Sequence, residues 1–222
     1  DGTPIARVDT FVYLGANFNE KVTDSDDIDR RTKTGNGALH RVGKMLWNKG
    51  TPRRLKTKML MVFVYPSIAY GCETWAATKG DERRLDTWWM KQMRRVKGVR
   101  LTDKVRSEEI LRELKTSKLT DMVKERKLRY CGHMWRYPSA RWVKFAAQAI
   151  LPGQTKTGKQ TQYCKSVTKL LKTYNLTTDQ MKDADGKGGA WSEKLREIFP
   201  KGDEEKKKNP QEVITLSLSN FA

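Results

Sequence analysis

The chain has 222 residues, with 45 Lys and Arg against 26 Asp and Glu, a formal net charge of +19, and 37% hydrophobic content that includes seven Trp. That length and apolar content support one or two domains with real cores and exclude wholesale disorder. No run of about eighteen apolar residues occurs, so no membrane span is expected; the most apolar stretch, Met59 to Tyr70, is short and contains Pro66. The opening "DGTPIARVDT" lacks both the charged start and the apolar block of a signal peptide. It also lacks an initiator methionine, which reads as a piece of something longer. Three widely spaced cysteines, Cys72, Cys131 and Cys164, fit a reducing intracellular setting, nuclear or cytoplasmic, better than a disulfide framework.

Residues 1–22 carry Val8, Phe11, Tyr13 and Phe18 with polar residues between them and Gly15 at the turn, the pattern of a short β-hairpin. The acidic run "TDSDDIDRR" then resembles a metal-binding cluster at first sight. Its Ser25 and Asp residues, however, stand where an amphipathic helix begins, and negative charge there complements the helix N-terminus. That helix is predicted to run to about Asn48, with Ile28, Gly35, Ala38, Leu39, Val42 and Leu46 on one face. "KGTP" ends it and starts a second, with Thr51 as N-cap and Pro52 at the first helical position. Leu55, Met59, Val62, Phe63 and Pro66 form the expected buried stripe of this second helix, which Pro66 should kink or divide. A third helix is expected from Asp81 to Lys97, with Leu85, Trp88, Trp89, Met93 and Val96 facing inward. Residues 23–100 therefore predict a three-helix bundle.

Shorter helices follow at Ser107 to Leu114 and Leu119 to about Trp135, in a helical linker spanning 101–152. Residues 153–199 begin with a loop, "GQTKTGKQTQ", and continue as helices near Tyr163 to Tyr174 and Trp191 to Ile198. Residues 200–222 read as a charged, mobile tail with a short strand at Val213 to Leu218. The fold class expected is mainly α, with an N-terminal hairpin.

Charge is concentrated in the middle: residues 30–172 hold 35 Lys and Arg against 10 Asp and Glu, while both ends are near neutral or acidic. This is the footprint of a polyanion partner, with nucleic acid leading. An anionic membrane would need the cations gathered on one amphipathic anchor, and they are spread over several helices. A plain solvated surface remains the bland alternative. On a helical wheel Leu85, Trp89, Gln92, Met93 and Val96 fix the inner face of the third helix, leaving Arg83, Arg84, Lys91, Arg94 and Arg95 together outside. Arg53, Arg54, Lys56 and Lys58 border the stripe at the start of the second helix. These nine are the expected nucleic-acid-binding residues.

"LRYCGHMWR", residues 128–136, sets Cys131 beside His133. A structural zinc site needs about four ligands in matched pairs, whereas the chain has three Cys, two His and no CxxC or HxxxH. A Cys/His nucleophilic pair would need a third orienting group. A helix with a small buried thiol is the favoured reading, and no metal or catalytic site is assigned.

Five motifs in order, "FVYLGANF", "DIDRRTKTGNGAL", "VYPSIAYGCETW", "MRRVKGVRLTDKVRSEEI" and "KLRYCGHMWR", resemble the region after the catalytic palm of non-LTR (LINE-type) retrotransposon reverse transcriptases. The family versions run approximately Phe-x-Tyr-Leu-Gly, Asp-Ile-x-x-Arg, Pro-x-Leu-x-Tyr-Gly-x-Glu-Thr-Trp, an Arg-rich helix, and Leu-x-Trp-x-Gly-His-x-x-Arg. Beyond residue 153 the match thins: Lys159 and Gln160 follow Gly158, Tyr163 and Cys164 stand where an Arg-Trp pair is usual, and Ser192 follows Trp191. The resemblance implies that residues 1–22 end the palm, with Tyr13, Leu14 and Gly15 in a primer-grip-like hairpin. Residues 23–100 would be the thumb, and the remainder would help hold an RNA template and DNA primer.

The two-metal chemistry of such polymerases rests on palm carboxylates that bind Mg²⁺. In this family these are an upstream strand aspartate and a Tyr-Ala-Asp-Asp turn, neither of which is in this sequence. No catalytic residue and no cofactor is therefore assigned here, and Mg²⁺ is expected only for a complete parent polymerase with palm and fingers upstream. The rival expectations are a domesticated module that binds DNA or RNA independently, and a remnant without activity.

Overall fold

The structure, a computed structural model, describes residues 7–20, 23–138, 140–142, 162–182 and 189–200. It is mainly helical, with a short antiparallel hairpin before the helices, as the sequence patterning predicts. Strand β1 (Thr10–Tyr13) pairs with β2 (Ala16–Asn19) in the register Phe11 to Phe18 and Tyr13 to Ala16. Leu14 and Gly15 make the two-residue turn with φ of 46° and 81°, and positive φ at both positions matches the twist of the flanking strands. The Phe11 and Phe18 rings stack across the pair at 5.4 Å.

Helix α1 (Ser25–Leu46) buries Ile28, Gly35, Ala38 and Leu46, with Leu39 and Val42 packed alongside. Its start differs from expectation. The side chain at the cap position, Asp24, makes no capping bond and accepts the Ala76 N–H at 2.6 Å instead, tying α1 to a distant segment. The second helix is in three pieces: α2 (Arg53–Met59), a wide π-turn over Leu60–Val64, and α3 (Tyr65–Ile68). Pro66 has no N–H to give the Val62 carbonyl, and the wide turn directly before it absorbs that missing bond. The cap here is Pro52 rather than Thr51, whose hydroxyl donates to the Met45 carbonyl at 2.9 Å.

The buried stripe of this second helix also needs correction. Thr57, Met59, Leu60, Val64 and Ile68 face the core, while Leu55, Val62 and Phe63 are 46%, 54% and 51% exposed. The wide turn rotates the side chains that follow Leu60, which places Val62 and Phe63 outside; Leu55 and Thr57 precede it, and there the expected face was simply the wrong one.

Helix α4 (Lys79–Lys97) starts two residues before the expected position. Thr78 and Asp81 form a reciprocal capping box, and Gly98 closes the other end with φ 82°. Leu85, Trp89, Gln92, Met93 and Val96 are buried as the wheel predicts; Trp88 is only half-buried. Helices α5 (Ser107–Glu113) and α6 (Leu119–Arg136) follow, then α7 (Gln162–Thr173), α8 (Thr178–Lys182) and α9 (Ala190–Ile198).

Two apolar cores result. The first runs from Ile28 to Val123 and unites α1 to α5 with the start of α6; the second gathers Leu128, Cys131 and Met134 of α6 with Val167, Leu171, Met181, Trp191 and Leu195. Among the described residues no helix is long and apolar enough to cross a membrane. The expected strand at 213–218, the tail from 201 and nearly all of the 153–162 loop lie outside the described residues.

Candidate nucleic-acid interface

The hairpin tip is fastened to the bundle. Arg30 and Arg31 of α1 both donate to the Gly15 carbonyl, and the Tyr70 hydroxyl donates to the Leu14 carbonyl at 3.1 Å. The Arg31 guanidinium lies 4.5 Å from the Tyr70 ring centroid. Buried Asp27 accepts from the Asn17 N–H and the Trp75 indole N–H, each at 3.0 Å, and faces both arginines. The side chains of Tyr13 and Leu14 point to solvent, Leu14 being 76% exposed. Tyr13, Leu14 and Gly15 thus form a presented tip, held from behind through its backbone.

The acidic run is consumed by the fold. Asp26 accepts from Asn19, Asp29 pairs with Arg84 at 2.7 Å, and Ser25 donates to Asp81. Burial works to raise Asp81, yet hydrogen bonds from Arg84 and Thr78 outweigh it and hold the carboxyl below its usual range. Burial raises Asp24 in turn. Among the described residues no group of three or more His, Cys, Asp or Glu is arranged to hold a metal, so these carboxylates do not fit the Mg²⁺ of the polymerase chemistry.

The nine residues expected to bind nucleic acid divide between surfaces. Arg53 pairs with Glu113 at 3.2 Å, and Arg53, Arg54 and Lys58 line a groove between α2 and α6; Lys56 is half-exposed beside them. Arg83 is exposed. Arg84 is bonded to Asp29 and Asp81, and Arg94 is half-buried, donating to the Val105 carbonyl and the Ser107 hydroxyl at 3.0 and 3.2 Å. Of the five cations expected to face outward together, Arg83, Arg84, Lys91 and Arg95 are exposed and Arg94 alone is drawn partly into the fold, while exposed Arg84 is already paired with carboxylates.

Lys91 and Arg95 belong to a seam between α1 and α4. On α1, Asp29, Lys33, Asn36, His40, Lys44 and Trp47 succeed one another at three- and four-residue steps; on α4, Arg84, Trp88, Lys91 and Arg95 do the same. The stripes meet at three points. Arg84 bonds Asp29, the Trp88 indole donates to the Asn36 side-chain oxygen at 2.9 Å, and the Arg95 guanidinium lies 3.8 Å from the Trp47 ring centroid. Lys33, Lys44 and Lys91 are exposed and make no hydrogen bond or ion pair to any described residue, and the single carboxylate of the seam, Asp29, is neutralised. Sequence reasoning missed Lys33, His40, Lys44 and Trp47, though a signal for them exists: no Asp or Glu occurs from residue 30 to residue 72, nor from 87 to 102. The fold sets these two acid-free stretches side by side.

The Cys131/His133 motif is a packing device. At Gly132 an added Cβ would clash with the indole nitrogen of Trp191, which lies on α6 at that point and donates to the Leu128 carbonyl at 3.3 Å. Burial pushes the Cys131 thiol up, against its metal-binding or nucleophilic form, and exposed His133 bonds the Tyr137 hydroxyl at 2.9 Å. Beside them Lys127, 4% exposed, donates to the Trp75 carbonyl and the Ser166 hydroxyl, with the Tyr163 ring centroid 4.4 Å away.

The chain is 28% identical over 146 residues to an uncharacterized transposon-derived protein of Caenorhabditis elegans. That alignment covers 64% of this chain and 52% of the relative, so the chain spans about half the length of the protein it matches. A transposon link is what this supports. No family model matches the chain, and no solved structure matches it.

Proposed function

We propose that the chain is a nucleic-acid-gripping segment of a LINE-type reverse transcriptase, holding an RNA template paired with a DNA primer along the α1/α4 seam. The observation that carries the reading is the seam itself: two adjoining helix stripes with exposed Lys33, Lys44 and Lys91, an Arg95–Trp47 stack, and no uncompensated carboxylate. Along α1 the stripe from Asp29 to Trp47 runs about 27 Å, a little less than one turn of duplex. Lysines along that stripe neutralise phosphates spaced along the duplex and carry no base information, so binding is expected to tolerate sequence. Trp47 and Trp88 offer half-buried rings to a sugar or base edge. The five ordered motifs and the transposon-derived relative support the family assignment. The metal-dependent chemistry would then belong to the palm of the parent, and the role of this chain is positioning.

Photo-crosslinking to an iodouridine-substituted RNA/DNA hybrid, read by mass spectrometry, tests this. Crosslinked peptides should come from 33–47 and 88–95. Crosslinks that avoid both stretches in a folded protein would refute the assignment.

A further inference from the structure

The groove between α2 and α6 has a different character from the seam. Its volume is about 1160 Å³. One wall is Leu55, Lys58, Met61 and Tyr65, at three- and four-residue steps along α2 and the start of α3; the other is Asp121, Met122, Glu125 and Arg129 of α6. Phe199 and Pro200 contribute to the lining after α9. Three carboxylates sit here, each already paired: Glu113 with Arg53 and Lys97, Asp121 with Lys124, and Glu125 with Arg129. The side chains of Arg54, Lys58 and Lys115 on the same lining make no hydrogen bond or ion pair to any described residue. Leu55, nearly half exposed, presents an aliphatic side chain among them.

We propose that this groove docks an acidic amphipathic helix of a partner protein. The argument is complementarity. Exposed Leu55 and half-buried Met61, Tyr65 and Met122 offer a phosphate backbone nothing, whereas a helix with one apolar stripe fills a channel between two helices and sets its acidic flank against the three uncompensated cations. The surface is separate from the seam, so this inference stands or falls independently of the nucleic-acid reading.

The probe is a fluorescein-labelled peptide of about 16 residues, roughly 24 Å as a helix, with leucines three and four residues apart and glutamates elsewhere. Titrated with the full chain, it should bind in the low micromolar range. Leu55→Asn, and separately the pair Arg54→Gln with Lys58→Gln, should each weaken it about tenfold. Affinity of Leu55→Asn for an RNA/DNA hybrid should stay within about twofold of wild type, and a short single-stranded RNA should not displace the peptide. Binding no tighter than that of a scrambled peptide would overturn the proposal. So would displacement by the RNA, which would make the groove a nucleic-acid surface. Displacement by a synthetic peptide of residues 201–222 would overturn it in favour of the chain's own tail.

Discussion

At the scale of single residues, two glycines separate packing from convenience. Gly132 lies where α6 and α9 touch through the Trp191 indole, whereas a Cβ at Gly37 would meet nothing within 4 Å on the exposed side of α1. Gly132→Ala should therefore destabilise by about 1–3 kcal/mol through overpacking. Gly37→Ala should stabilise by about 0.5–1 kcal/mol, because it only removes backbone freedom from the unfolded chain. Thermal or urea unfolding of the two variants measures both, and equal shifts would contradict the packing account. A Gly-His pair in sequence shows that something is close, not what: the partner is 59 residues away. The same limit applies to Asp27, which reads as helix-start charge yet holds Asn17, Trp75 and two arginines.

At the scale of elements, α6 is the shared spine, contributing its first half to one core and its second half to the other. Lys127 lies where they meet, and burial lowers its amine to about 8. Its folded pKa is thus below the unfolded value near 10.4, so the unfolded chain holds the proton more tightly and stability from this group rises with pH between about 8 and 10. Burial raises Cys72 to about 12, which acts in the opposite direction above about pH 8.5, so Lys127→Met is the needed reference. Relative to that variant, wild type should gain roughly 1–2 kcal/mol between pH 7 and pH 9.5 in urea unfolding. A difference that does not change with pH would mean that burial does not lower the Lys127 amine.

Helices α1 and α4 are legible in sequence because their apolar residues keep the 3.6-residue period, and α4 also carries a capping box and a closing glycine. The buried face after Leu60 is not legible, since a π-turn shifts the period and leaves no compositional mark, and in α2 a buried Thr57 beside an exposed Leu55 runs against hydrophobicity. Five-residue α8 is too short to show a period at all.

At the scale of the whole molecule, the fold sorts charge. Carboxylates of 24–29 fasten the hairpin and α4, Glu113 of α5 with Asp121 and Glu125 of α6 lines the groove, and the acid-free stretches of α1 and α4 meet on one face. That the middle of the chain is basic is plain from sequence. Which cations remain free is not, because Arg84 and Arg94 differ from Lys91 only through partners that folding supplies. The most direct test replaces Lys33, Lys44 and Lys91 with Gln and follows binding to an RNA/DNA hybrid against salt. With each lysine proposed to neutralise one phosphate, affinity should fall for every sequence, and the slope of log affinity against log salt should shrink by about 2 to 3. Stability should stay within about 0.5 kcal/mol, since all three side chains are exposed. A folded variant with wild-type affinity and slope would contradict the claim that the α1/α4 seam grips nucleic acid.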